Sequence, residues 1–235
     1  MNILLIISGS VAAYKSLDVA RELKRRNHNL LCVLSKCGEK FVTPLSVTSL
    51  AGHHTYTESD FFSLQASMKH ISLSRNSDLI LVAPASANIM AKAAHGICDD
   101  LPSTILTCAR VPIVMAPAMN TAMWEAKPTL RNLEILKRDN VQIIEPETGI
   151  LACGEEGYGK MASVETIISY VENMQNSAGK PSHGGLTAPL SIVTNSDRCA
   201  PPSMVRSFPP GQMASIRARN CKGAMPSTSL ATCAH

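Results

Sequence analysis

The sequence predicts a single α/β domain built on a doubly wound parallel sheet, followed by an irregular C-terminal tail. Three observations predict it. Short apolar runs recur along residues 1–175, stretches of helical periodicity separate them, and each unusual small-residue motif falls just after one of the runs. Strands alternating with helices imply right-handed crossovers and a parallel sheet covered on both faces. In such sheets ligands collect at the carboxyl ends of the strands, near the point where strand order reverses.

Residues 3–7 (Ile-Leu-Leu-Ile-Ile) are continuously apolar, as a strand buried on both faces is. Ser8-Gly9-Ser10 breaks the run. Ala13, Leu17, Ala20 and Leu23 then recur at helical spacing, with Arg21, Arg25 and Arg26 on the other face. A second apolar run, 30–34, ends at Ser35, and residues 41–44 and 45–50 read as short helices. Residues 79–83, 111–116 and 141–144 supply the third, fourth and fifth strands, with helices expected at 86–95, 101–110, 121–138 and 163–175. Functional residues are therefore expected at 8–11, 35–37, 84–88, 117–120 and from 146 onward.

The 235-residue chain is not uniform. Residues 1–175 carry 16 Lys/Arg against 17 Asp/Glu, whereas residues 176–235 carry six basic residues, one acid (Asp197) and half of the 14 prolines. The domain is therefore expected over 1–175, and 176–235 forms an irregular or disordered tail without a recognisable domain. Pro201-Pro202 and Pro209-Pro210 would interrupt regular elements there. The net charge of +4 is a property of the tail and marks no nucleic-acid face on the domain. The eight cysteines are scattered with no CxxC pair, no leader precedes them, and no stretch approaches the roughly 20 apolar residues of a membrane span. A cytoplasmic protein with reduced thiols and no membrane partner is expected. The Cys and His spacings fit no zinc pattern, so no metal site is expected.

Each motif carries a functional reading and a plainer one. Ser8-Gly9-Ser10-Val11 between strand and helix suits a phosphate at a helix N-terminus, or is a tight turn with a serine cap. The Gly-x-Gly-x-x-Gly pattern is absent, which argues against NAD. Pro84-Ala85-Ser86-Ala87-Asn88 lets a flat ring or phosphate approach the backbone, or is a capped helix start. In Pro117-Ala118-Met119-Asn120-Thr121-Ala122-Met123-Trp124, Asn120 can offer an amide to a carboxylate or cap the next helix, and Trp124 reads as core. Residues 151–161, with three glycines in six residues, read as neither helix nor strand but as a flap able to close over a substrate. Cys153 at its base reads as a reactive thiol in preference to a buried structural one. His70 leads into the third strand; from spacing alone it has a modest claim to catalysis, and His28, His53, His54 and His95 have no better one.

As an ordered set these motifs resemble the FMN-dependent cysteine decarboxylase family of flavoproteins, over residues 1–175. The carrying residues are Gly9-Ser10-Val11-Ala12-Ala13, His70, Pro84-Ala85-Ser86-Ala87-Asn88, Pro117-Ala118-Met119-Asn120-x-x-Met123-Trp124 and Ala152-Cys153-Gly154-x-x-Gly157-x-Gly159-Lys160-Met161. The resemblance implies a flavodoxin-like (Rossmann-like) fold and a homotrimer, or a dodecamer built from trimers, with sites between subunits. FMN contacts would fall on Gly9, Ser10, Val11, Ser35, Cys37, Ser86, Ala87, Asn88, Ile89 and Ala118. His70, Asn120 and Cys153 would be catalytic: Asn120 holds the substrate carboxylate and Cys153 donates a proton. Met123, Ala152, Gly154, Gly157, Gly159, Lys160 and Met161, together with Asn120, would bind a small phosphorylated substrate. The implied reaction converts 4′-phosphopantothenoylcysteine to 4′-phosphopantetheine in coenzyme A biosynthesis. The substrate's cysteine side chain gives up a hydride, the resulting thioaldehyde loses CO₂, and the enethiol is reduced.

Three positions depart from the family pattern. Ile89 stands where Thr is usual, Lys160 where Arg is commoner, and Cys37 where a small polar residue is frequent. Lys meets an anion as a point charge without the bidentate fork, so weaker substrate binding is expected, not lost chemistry. Related proteins of the fold decarboxylate a peptide's C-terminal cysteine, prenylate flavin, or bind flavin as regulators of a phosphatase, and an inactive relative is a further alternative. The glycine-rich clamp with Cys153 favours the small phosphorylated substrate over a peptide. The 117–120 motif argues against prenyl transfer, and retention of His70, Asn120 and Cys153 together argues against a regulator.

Overall fold

In a computed structural model of the chain, residues 1–61, 69–152 and 154–178 are described below. The central strand, β1 (Asn2–Ile7), pairs in parallel with β2 (Asn29–Leu34) on one side and β4 (Leu79–Ala85) on the other. Both faces of β1 are covered, and Ile3, Leu4, Leu5, Ile6 and Ile7 are fully buried. That is why the sequence shows an unbroken apolar run instead of alternation. Alternation is still present in what the residues touch. Ile3, Leu5 and Ile7 join one core cluster, and Leu4 and Ile6 join the other.

The sheet is completed by β3 (Thr55–Tyr56), β5 (Ile113–Pro117) and β6 (Gln142–Ile143), in the order β3-β2-β1-β4-β5-β6, all parallel. Leaving out the two-residue edge strand β3, the order is that of a flavodoxin-like sheet, and it reverses between β1 and β4.

One face is covered by α1 (Ala13–Arg25), α2 (Pro44–Ala51) and α9 (Val164–Ala178). Val19, Ala20 and Leu23 of α1 are buried at helical spacing, and Arg26 beyond it pairs with Glu172 of α9. The other face is covered by α4 (Lys69–Arg75), α5 (Ala87–His95), α6 (Leu101–Cys108) and α8 (Lys127–Arg138). Lys92 of α5 clasps Asp99 (2.6 Å) and Asp100 (2.5 Å), fixing α5 to the start of α6. Each fully buried Leu or Ile in these layers contributes about 1.5–3 kcal/mol. Among the described residues there are two further short helices, α3 (Glu58–Phe61) and α7 (Thr121–Trp124), and a 3₁₀ turn at Gly38–Lys40. No helix among the described residues is long and apolar enough to cross a membrane.

Five expectations are corrected. Residues 41–44 form no helix of their own: Thr43 is extended and caps α2, which starts at Pro44. The helix expected at 121–138 is two helices, because the Pro128 ring would meet the carbonyl four residues back and Ala126 is extended at ψ 135°. The fourth strand begins at Ile113, beyond Pro112. The last helix, expected at 163–175, runs from Val164 to Ala178; residues 179–235, the bulk of the expected tail, lie outside the described residues. The glycine-rich stretch is not without regular structure. It forms β8 (Glu156–Lys160), antiparallel to β7 (Glu147–Ile150), in a two-stranded hairpin. Glycine weakens a strand in isolation, but here two of the glycines allow close packing on the α7 turn.

Candidate active site

The cavity lies where the strand order reverses. The Ser8 hydroxyl at the end of β1 donates to the Pro84 carbonyl (2.7 Å) and accepts from the Ser86 N–H (2.9 Å). Ala118 N–H, beyond β5, donates to Ala85 O (3.1 Å), and Met119 N–H donates to Gly159 O (3.0 Å). Ser10 Oγ donates to Ala118 O at 3.3 Å. The ends of β1, β4, β5 and β8 are thereby tied into one floor, and such paired buried polar groups make it rigid.

Above the floor is a cavity of about 470 Å³, within the usual range for a small-molecule site. Twelve of the residues singled out in the sequence line it. Gly9, Ser10 and Val11 come from the first turn, Ser86 and Ala87 from the β4 end, and Ala118, Asn120 and Met123 from the β5 end. Ala152, Gly159, Lys160 and Met161 come from the hairpin and the residue after it.

Local chemistry fixes each contribution. A Cβ on Gly9 would stand 2.4 Å from Cys37 Cβ, so the turns after β1 and β2 abut only because residue 9 has no side chain. The start of the 13-residue helix α1 has no side-chain cap; Ala13 and Lys15 N–H donate to Ser10 O (2.9 Å) and Ala12 O (3.0 Å), and the positive end of the helix dipole faces the turn, which favours an anion. Ser86 and Asn120 are both helix caps, as the plainer readings had it. Ser86 Oγ accepts from Ile89 N–H (3.5 Å), and Asn120 Oδ1 accepts from Met123 N–H (2.8 Å). Capping engages only the oxygen of Asn120; among the described residues its Nδ2 has no partner, and the side chain is exposed at the cavity wall.

Among the described residues two cations face the cavity, Lys15 and Lys160, and no acidic residue lines it. Burial, then repulsion from Lys160, holds the Lys15 amine below the ordinary lysine range, against an opposing pull from Glu147. Lys15 was not anticipated from the sequence. The available signal was a basic residue at the start of the helix that follows a phosphate-type turn. Tyr14 also lines the cavity unanticipated, whereas Met119, Ile150 and Leu151 line it within the windows expected at 117–120 and from 146 onward. With Val11 and Met123, Tyr14 and Ile150 form an exposed apolar rim, Tyr14 at 58 % and Ile150 at 74 % exposure.

Ser35, Cys37, Asn88, Ile89, Gly154 and Gly157 lie off this cavity. Ser35 Oγ accepts from Gly38 N–H (3.0 Å), and Cys37 is exposed beside Gly9. Asn88 is exposed in the first turn of α5, whereas Ile89 is buried in the core beneath it. Gly154 turns the hairpin with φ +86°, and Gly157 backs onto Thr121. His70 is the second residue of α4, and Cys153 lies outside the described residues. Trp124 is core, as expected, packed edge-on against Tyr158. Among the described residues no cluster of His, Cys, Asp and Glu could hold a metal ion.

A flavodoxin-like sheet with a ligand cavity at its switch point defines a doubly wound α/β ligand-binding domain. The chain belongs to the Flavoprotein family, which matches residues 1–176. It is 36% identical over 173 residues to the probable phosphopantothenoylcysteine decarboxylase of Streptococcus mutans, covering 73% of this chain and 97% of that protein. It is also 36% identical over 171 residues to the coenzyme A biosynthesis bifunctional protein CoaBC of Bacillus subtilis, covering 73% of this chain and 42% of that protein. The chain thus spans less than half the length of the bifunctional relative. Among solved structures, a cysteine-to-serine variant of a PPC decarboxylase complexed with pantothenoylaminoethenethiol is similar at TM-score 0.69 and 33% identity, covering 74% of this chain and 98% of that one. The FMN binding protein AtHal3 (TM-score 0.67, 34% identity, 75% and 97% covered) and the peptidyl-cysteine decarboxylase EpiD (0.63, 26%, 73% and 98%) share the fold.

Proposed function

We propose that this chain is an FMN-dependent carbon–carbon lyase that decarboxylates 4′-phosphopantothenoylcysteine to 4′-phosphopantetheine in coenzyme A biosynthesis. One observation carries the reading: a single cavity gathers a small-residue floor, an uncapped helix N-terminus, the Asn120 amide and two lysines. The residues present fit the cofactor. Ala87 and Ala118 leave room for a flat ring, and the first turn of α1 suits its phosphate. When bound, FMN supplies a hydride acceptor and donor, which makes the carbon next to the carboxylate-bearing one an electron sink.

The chain's own residues orient the substrate. Asn120 Nδ2 holds the carboxylate that leaves as CO₂. Lys15 and Lys160 meet the anionic end of the substrate as point charges. His70 handles the proton at the substrate cysteine, and Cys153 returns one to the enethiol. Ser35, Cys37, Asn88 and Ile89 complete the cofactor's surroundings in this reading, with Gly154 and Gly157 in the clamp. The functional unit ends with α9, and the apolar rim of Val11, Tyr14 and Ile150 is where a second copy packs in the homotrimer, or the dodecamer of trimers. The peptidyl-cysteine alternative is disfavoured by the pair of lysines, since a peptide brings no phosphate to this cavity.

The test is incubation of the purified protein with 4′-phosphopantothenoylcysteine while CO₂ and the flavin spectrum are followed. The protein is expected to purify yellow with FMN and without nicotinamide. Finding NAD, or no flavin after FMN supplementation of folded protein, counts against the reading. Lys15→Gln is expected to raise KM by about 10- to 100-fold, the weight of one charge-assisted contact, with a smaller change in kcat. The sign with pH follows from the lowered pKa of Lys15. Its charge is present below that pKa and is lost as pH rises through it, so wild-type KM climbs at a pH below the ordinary lysine range. The variant's KM lacks that step. An unchanged KM for the variant would remove Lys15 from the site.

A further inference from the structure

The β7–β8 hairpin brings Ile150, Leu151, Ala152 and Lys160 to the cavity and rests on the α7 turn through three consecutive residues. At Gly157 a Cβ would stand 2.1 Å from Thr121 Oγ1 and 3.2 Å from Thr121 Cβ. Tyr158 meets Trp124 with ring centroids 5.9 Å apart. Gly159 accepts from Met119 N–H, and a Cβ there would stand 2.4 Å from Met119 O.

The two glycines are required for different reasons. Gly159 has φ +136°, a conformation that residues with a side chain rarely adopt, and it faces backbone. Gly157 has no such φ, so its backbone accepts any residue and only Thr121 excludes a side chain. Thr121 Oγ1 is buried with no hydrogen-bond partner among the described residues. What Thr121 contributes is therefore the volume it fills, not a bond it makes. Gly157 does not line the cavity, whereas the residues before and after it in the hairpin, Ala152 and Lys160, do.

We infer that Thr121 and Gly157 form a steric seat that sets the height of the hairpin over the cavity. Both are positioning residues for the reaction proposed above, on which this inference rests for its catalytic consequence. Gly157 acts through Thr121 and not by touching substrate. Because Thr121 adjoins Asn120, the same seat fixes the distance between the Asn120 amide and the hairpin's Lys160.

The test compares Gly157→Ala, Thr121→Ala, their double variant and Gly159→Ala by hydrogen exchange at the Met119 amide, which donates into the hairpin, and by KM and kcat. Overpacking in Gly157→Ala is expected to speed Met119 exchange by about 5- to 150-fold and to raise KM more than it lowers kcat. The double variant regains most of the protection and of the KM, since removing the Thr121 hydroxyl and methyl leaves only a tight Cβ contact to be relieved. Thr121→Ala does not rescue Gly159→Ala, whose strain is in the backbone. The inference is overturned if Gly157→Ala leaves Met119 protected, if it raises KM without loosening the hairpin, or if the double variant is no better than the single. Should Gly157→Ala fail to fold by circular dichroism, recovery of folding in the double variant supports the seat and its absence overturns it. Exchange is read without substrate, so the seat stands or falls separately from the decarboxylase reading.

Discussion

A Cys153→Ser variant is expected to release CO₂ from 4′-phosphopantothenoylcysteine and then accumulate the enethiol. A free thiol has a pKa of about 8.5, so at neutral pH it is mostly protonated and able to donate. The proposed reaction needs that proton only after CO₂ has left. A serine hydroxyl is a far weaker acid and fails at that step alone. General acids contribute about 10²–10⁴-fold, so formation of the saturated thiol should fall by that order. The assay is mass analysis of quenched anaerobic reactions, with CO₂ measured in parallel. Normal product formation would make Cys153 structural, and loss of CO₂ release would place its role before decarboxylation.

His70→Asn is expected to suppress CO₂ release by about 10²–10⁴-fold while FMN stays bound. Histidine has an ordinary pKa of about 6.5, so near neutrality it can take a proton in one step and return it in another. Asparagine keeps a polar planar side chain but cannot accept a proton. The topology supports the position. A crossover helix runs antiparallel to the strands it joins, so the first turn of α4, with His70 second in it, stands at the carboxyl edge of the sheet. That is the edge on which the cavity opens. Retained flavin with no CO₂ fits the reading. Turnover near the wild-type rate would dismiss it, and loss of flavin would move His70 to the cofactor.

Much of this architecture is legible in the sequence, for a physical reason. Strands β1, β2 and β4 are covered on both faces, so burial writes them as unbroken apolar runs. The turns after β1, β4 and β5 are legible because small residues at those points are where backbone meets ligand or another turn, as Gly9 meets Cys37. What was not legible depends on distant partners. β8 reads as irregular because its glycines answer to Thr121 and Met119, some 40 residues earlier in the chain. The two-residue strand β3 has no periodicity to read. Lys15 looks like any basic residue on a helix until the fold sets it across a cavity from Lys160. The break between α7 and α8 was marked by Pro128 and was masked by the apolar spacing that continues through Leu133 and Leu136.

The central strand is made well before the last helix that covers it, and this has a consequence during synthesis. β1 occupies residues 2–7, yet the face carrying Ile3, Leu5 and Ile7 shares its core with Ile167, Ile168 and Val171 of α9. At about 5–20 residues per second, α9 follows β1 out of the ribosome by on the order of 10–30 s. For that interval a strongly apolar segment waits without its full cover. Pairing with β2, available as soon as residues 29–34 emerge, gives it partial cover in that interval. The order in which the chain is translated thus opposes the order in which its core can close.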